Sequence, residues 1–155
     1  MFIGIHHTCL TVEDIERSVA FYRDLLGLEV LWDSRAAGLE LKGPVADRAT
    51  RCPGTEQRVV YLELQGDLLE LMEFSPPGKK LTDNKLCDIG SPHVCFLTDD
   101  IDELYCTLRA NGVDLHCAPQ DLGETRIFFF RDPDGIILEA MGGTPTVEAE
   151  RPRIR

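Results

Sequence analysis

From residue 3 to residue 12 apolar and polar side chains alternate. Leu10 and Val12 fall on one face, with Ile5, His7, Cys9 and Thr11 on the other, a period of two that predicts a half-buried strand. His6 and His7 must then point to opposite sides. Beyond Val12 the period lengthens: Ile15, Val19, Tyr22 and Leu26 recur at helical spacing behind Glu13, Asp14 and Glu16, and Gly27 stands where a left-handed residue closes a helix. About three helical turns are expected. Residues 28–32 predict a second strand, and a long irregular stretch with Gly38, Gly43, Pro44, Pro53 and Gly54 follows. Residues 58–64 and 68–74 then read as a hairpin turning through Gly66-Asp67, which completes a β-α-β-β-β order.

The order repeats. His7-Thr-Cys-Leu-Thr-Val-Glu-Asp-Ile15 and His93-Val-Cys-Phe-Leu-Thr-Asp-Asp-Ile101, 86 positions apart, share the histidine, the cysteine two residues on, the acidic pair and the isoleucine that opens a helix. Residues 93–98 predict a strand, and 100–110 a helix with Ile101, Leu104, Tyr105 and Leu108 on one stripe, ended by Gly112. Residues 113–117 are short and β-like, while 125–131 and 136–141 pair across Asp132-Pro-Asp-Gly135. The fold class is therefore α+β, with two tandem β-α-β-β-β modules in one domain spanning 1–155. Module one covers about 3–74, a linker 75–91, module two 92–142 and a polar tail 143–155.

Composition narrows the functions. With 43% hydrophobic residues the chain has a real core, and 27 acidic against 16 basic residues give a net charge of −11, which opposes non-specific binding to nucleic acid or an anionic membrane surface. A small-molecule substrate fits better. No apolar run is long enough to cross a bilayer, the amino terminus lacks a signal-peptide pattern, and a cytoplasmic location is expected. The six cysteines show no Cys-x-x-Cys pair, so reduced thiols are expected.

The chemistry lies in two carboxylates. Alternation places Leu68, Glu70 and Met72 on one face of the fourth strand, and Ile137, Glu139 and Met141 on the equivalent face of the second module. A carboxylate among apolar neighbours needs a partner or a cation. The matching histidines supply one: His7 with Glu70, and His93 with Glu139, form two half-sites whose nitrogen and oxygen donors suit one divalent Zn, Ni, Co, Mn or Fe ion. Glu73 is out of phase with Glu70, Glu63 lies by the hairpin tip, and His6 and His116 read as structural or exposed. Cys9 and Cys95 share the ligand face as small lining groups, since no cationic activator stands nearby in sequence.

These residues, with Ser18-Val-Ala-Phe-Tyr-Arg-Asp-Leu-Leu-Gly-Leu-Glu-Val30, Leu69-Glu-Leu71 and Arg131-Asp-Pro-Asp-Gly-Ile-Ile-Leu-Glu139, resemble the vicinal-oxygen-chelate superfamily. That group includes glyoxalase I, methylmalonyl-CoA epimerase, extradiol dioxygenases and fosfomycin or bleomycin resistance proteins. The resemblance covers about residues 3–142. It implies curled mixed sheets forming a metal-lined cleft, metal-ligand roles for His7, Glu70, His93 and Glu139, and a homodimer. Thr11 stands where bacterial glyoxalase I has a glutathione-binding arginine, whereas residues 69–76 and 93–102 look more epimerase-like.

The expected activity is that of an isomerase, epimerase or lyase. It abstracts a proton next to a carbonyl, with a metal holding the oxygen as enolate charge develops and Glu139 or Glu70 acting as general base. The alternatives are an iron-dependent extradiol-type dioxygenase, and a non-enzymatic protein that sequesters a small molecule such as an antibiotic. Trp32, Phe74 and Phe96 are candidates to face such a ligand. Residues 36–56 are long enough to form a lid, and Arg48, Arg51 and Arg58 are candidates to attract an anion.

Overall fold

The computed structural model describes residues 1–81 and 83–143, so the expected polar tail falls almost wholly outside the described residues. The chain forms two compact units, Met1–Thr82 and Asp83–Arg155. Each is a four-stranded mixed sheet with a helix on one face, the α+β arrangement expected. No helix among the described residues is long and apolar enough to cross a membrane.

In the first unit, β1 (Thr8–Val12), β2 (Glu29–Asp33), β3 (Glu56–Leu64) and β4 (Asp67–Ser75) lie in the order β1-β4-β3-β2. β1 runs parallel to β4, and the other pairs are antiparallel. Helix α1 (Ile15–Ala20) begins where the Asp14 side chain accepts the Arg17 N–H, then continues as one π-helical segment, Phe21–Leu25. Gly27 closes it at φ +79°. Ile15, Val19 and Tyr22 are buried, as are Leu10, Val12, Val60, Leu62, Leu69 and Leu71. Since Val60 pairs with Leu71 and Leu62 with Leu69, this core occupies the helix-covered face, and Glu70 necessarily points to the other.

The second unit repeats the plan. β5 (Val94–Thr98), β6 (Gln120–Leu122), β7 (Thr125–Arg131) and β8 (Ile137–Gly143) follow the order β5-β8-β7-β6, with α3 (Ile101–Ala110) capped by Asp100 accepting the Glu103 N–H. Phe128, Phe130, Leu138, Ala140, Ile101 and Leu108 form its core. Because Phe128 opposes Ala140 and Phe130 opposes Leu138, Phe129 and Glu139 share the opposite face.

Several boundaries depart from expectation for identifiable reasons. β1 begins at Thr8, not near Ile3: Thr8 aligns with Leu69 and β4 starts only two residues earlier, at Asp67, so residues 3–5 have no strand to pair with. The hairpin turns at Gln65-Gly66, not Gly66-Asp67; both residues have positive φ, +53° and +93°, as a two-residue I′ turn requires. Leu64 therefore pairs with Asp67 and Tyr61 with Glu70. Within the irregular stretch a short helix, α2 (Pro44–Thr50), forms with proline in its first turn. Residues 113–117 contribute only the bridge of Leu115 to Phe130, and the strand beside β7 is β6 instead.

Candidate metal centre

His7 and His93 each stand immediately before the first strand of their unit, and Glu70 and Glu139 lie within the last. Parallel pairing brings them together. His7 Nε2 is 3.2 Å from Glu70 Oε2, and His93 Nε2 is 3.1 Å from Glu139 Oε2. The environments match as well: the imidazoles are 31% and 37% exposed, the carboxylates 8% and 10%. Two atoms bound to one ion at about 2.0–2.2 Å, at roughly 90–110°, would stand about 2.8–3.6 Å apart. An imidazole nitrogen and a carboxylate oxygen at that separation fit a divalent cation. Among the described residues no three His, Cys, Asp or Glu side chains gather into one cluster; each unit brings together a pair.

The surroundings repeat. Cys9 aligns with Glu70 and Cys95 with Glu139. Partial shielding from water, together with the adjacent carboxylate, pushes each thiol up to about 12. Both are therefore protonated at neutral pH, which leaves no thiolate nucleophile. On the other flank, Tyr61 opposes Glu70 and Phe129 opposes Glu139. Their rings sit edge-on to the histidines, each with a centroid separation of 5.5 Å.

Here the repeat breaks. Tyr61 carries a phenol on the Glu70 face, and burial together with that carboxylate pushes the phenol up to about 12. Phe129 has no such group. Glu70 thus has two protonated groups at its flanks, Cys9 and Tyr61, where the matching positions beside Glu139 hold Cys95 and Phe129. Sequence reasoning missed Tyr61 because placing the hairpin turn one residue late sets Glu63, not Tyr61, opposite Glu70.

Other candidates separate clearly. Glu73 Oε2 accepts the Ile15 N–H at 2.7 Å, holding the start of α1 on the helix face, and Glu63 accepts the Gly66 N–H in the hairpin. His6 is exposed, with Nδ1 2.8 Å from His7 Nδ1, and the His116 ring lies 6.2 Å from Phe129. Arg58 is not free to attract an anion: its guanidinium bonds Asp33 at 2.7 and 3.2 Å and Glu16 at 2.6 Å. Trp32 opposes Tyr61 and Phe74 opposes Gln57, on the Glu70 face. Phe96 opposes Ala140 on the helix face and cannot line the site.

Comparison with known proteins agrees with this architecture. The family described as Glyoxalase/Bleomycin resistance protein/Dioxygenase superfamily matches residues 4–140. A lactoylglutathione lyase of Salmonella typhimurium (strain LT2) is 30% identical over 137 residues, 86% of this chain and 87% of the relative. Among solved structures, a glyoxalase family protein from Bacillus cereus has a TM-score of 0.77 at 20% identity, with 94% and 97% of the two chains covered. The fosfomycin resistance protein FosX from Listeria monocytogenes, complexed with Mn(II) and sulfate, has a TM-score of 0.64 at 20% identity, covering 97% and 100%. At such identities the two structures establish likeness of fold.

Proposed function

The chain belongs to the Glyoxalase/Bleomycin resistance protein/Dioxygenase superfamily, and from that premise we propose a metal-dependent isomerase, epimerase or lyase that moves a proton on a carbon next to a carbonyl. His7, Glu70, His93 and Glu139 serve as the ligands of one divalent ion. The observation that carries this reading is the twofold recurrence of an exposed imidazole nitrogen beside a buried carboxylate, at 3.2 and 3.1 Å. When bound, the ion would polarise a substrate oxygen and offset negative charge developing on it. The same reading takes the protein as a cytoplasmic homodimer acting on a small molecule.

The carboxylates divide the work unequally. Glu139 faces Phe129 and lacks the phenol that stands opposite Glu70. Its oxygens are the more available to accept a carbon-bound proton, and it is assigned the base. Glu70, facing Tyr61 and Cys9, is held in place as a ligand and is the candidate to return a proton on the opposite side. Ile137, buried on the Glu139 face, and Val59, buried on the Glu70 face opposite Met72, limit access of water that would compete for the proton.

The test is exchange of carbon-bound hydrogen with solvent deuterium across a panel of 2-oxo acids, acyl-CoA thioesters and glutathione hemithioacetals. Glu139→Gln should retain part of the metal through the remaining ligands and lose exchange by a factor of about 10²–10⁴. Glu70→Gln should lose less. Exchange at the parent rate in both variants would overturn the mechanism.

A further inference from the structure

The ring contacts around each half-site recur one strand beyond the metal pair. In the first unit the His7 ring meets Tyr61 edge-on at 5.5 Å, and Tyr61 in turn meets Trp32 of β2 at 5.9 Å, with the planes inclined by 45°. In the second the His93 ring meets Phe129 at 5.5 Å, and Phe129 meets His116 at 6.2 Å, inclined by 32°. The inner rings differ by one hydroxyl. The outer rings differ in kind, and the first half-site ends in an indole.

A bulge puts that indole in place. Glu29 aligns with Glu63 and Val30 with Leu62, but the register then shifts and Trp32 aligns with Tyr61. In unbroken register Trp32 would align with Val60, on the helix-covered face. The shift instead brings the half-buried indole to the Glu70 face and leaves Leu31 62% exposed, the re-aiming of a side chain that bulges perform. Because β2 is the outermost strand of its sheet, no strand of the unit lies beyond the indole. Charge sets a further limit. Along the same face Glu29 stands opposite Glu63, while Arg58, the basic residue of β3, bonds Asp33 and Glu16 on the other face. An anionic tail would meet carboxylates here, whereas a neutral ring would meet two aromatic rings.

We infer that Trp32 and Tyr61 bind an uncharged aryl group carried on or next to the reacting carbon, and that Trp32 is the residue that selects aryl over alkyl substrates. The rest of the substrate, a 2-oxo or 2-hydroxy carbonyl compound whose oxygens the ion would hold, rests on the metal-centred reading above. Trp32 stands two strand spacings from Glu70, roughly 10 Å across the sheet with Tyr61 between them. A ring attached close to a group held at His7 and Glu70 therefore lies along Tyr61 and meets the indole.

Trp32 is the only tryptophan of the chain, so its fluorescence reports on this face directly. Mandelate and lactate present the same hydroxyl and carboxylate and differ by a phenyl against a methyl group. Each is titrated into the full chain, Zn(II)-loaded and metal-free, with Trp32 emission and calorimetry as readouts. Mandelate should change the emission saturably and bind about two- to tenfold more tightly than lactate, the scale of one aromatic pair. Trp32→Leu should remove most of that ratio, and Trp32→Phe, which restores a ring, should keep it; a merely structural loss would weaken both acids alike and leave the ratio unchanged. The metal-free chain should bind both acids more weakly and keep the preference for mandelate. Failure of Zn(II) to bind, or to strengthen either acid, therefore defeats the metal-centred reading and leaves the ring preference standing. No response of Trp32 to mandelate in either form, equal binding of the two acids by the parent, or an unchanged ratio in Trp32→Leu would overturn the inference.

Discussion

Replacing Tyr61 with phenylalanine makes the first half-site chemically like the second. The ring stays where it is, 5.5 Å from His7 and 5.9 Å from Trp32, while the hydroxyl on the Glu70 face, the group available to donate to that carboxylate, is lost. A hydrogen bond to a charged group contributes about 1.5–3 kcal/mol, which corresponds to roughly a 10- to 150-fold change in any equilibrium that needs the carboxylate held in its bonded orientation. Loss of partners that orient metal ligands typically costs about 10- to 100-fold in affinity. Tyr61→Phe should therefore weaken Mn(II) or Zn(II) binding by about 10- to 100-fold, measured by calorimetric titration of metal-free protein. Phe129→Tyr should place a comparable donor beside Glu139 and slow solvent exchange without abolishing metal binding. If Tyr61→Phe binds metal within twofold of the parent, or if Tyr61→Leu and Tyr61→Phe lose the same amount, the hydroxyl has no role and only ring packing matters.

Two further outcomes test the scaffold. Arg58 holds the Asp33 carboxyl below the usual carboxylate range, its hydrogen bond outweighing the effect of burial. A folded-state pKa below the unfolded one stabilises above about pH 4 and is lost as pH falls, so Asp33→Asn should lower stability at neutral pH and flatten the acid limb of a urea-denaturation series. Asp132, 5% exposed, accepts the N–H groups of Asp134 and Ile136 at 2.9 and 2.8 Å. Asp132→Ala leaves both donors unpaired and should cost about 2–4 kcal/mol by denaturant unfolding; a loss under about 0.5 kcal/mol would contradict that bonding.

The repeat in the sequence was enough to place both His–Glu pairs, because strand alternation alone decides which face Glu70 and Glu139 take, and a parallel ladder decides where the preceding histidine lands. Periodicity also located α1 and α3 through the apolar stripes that begin at Ile15 and Ile101, and the structure shows Asp14 and Asp100 capping them. What it missed depended on register. Moving the hairpin turn from Gly66-Asp67 to Gln65-Gly66 shifts every partner of Glu70 by two, and this hid Tyr61. Helix α2 was missed because Gly43, Pro44, Pro53 and Gly54 read as breakers, although Pro44 is well placed in a first turn.

Whether the four predicted ligands act together is tested most directly by metal titration of metal-free His7→Ala, His93→Ala and the double variant, with His6→Ala as control. Shared ligation of one ion predicts that each single variant weakens binding about 100-fold or more, that the double variant costs less than the two losses added, and that His6→Ala behaves like the parent. Two independent weak sites, each abolished only by its own histidine, or an equal loss in His6→Ala, would contradict the account.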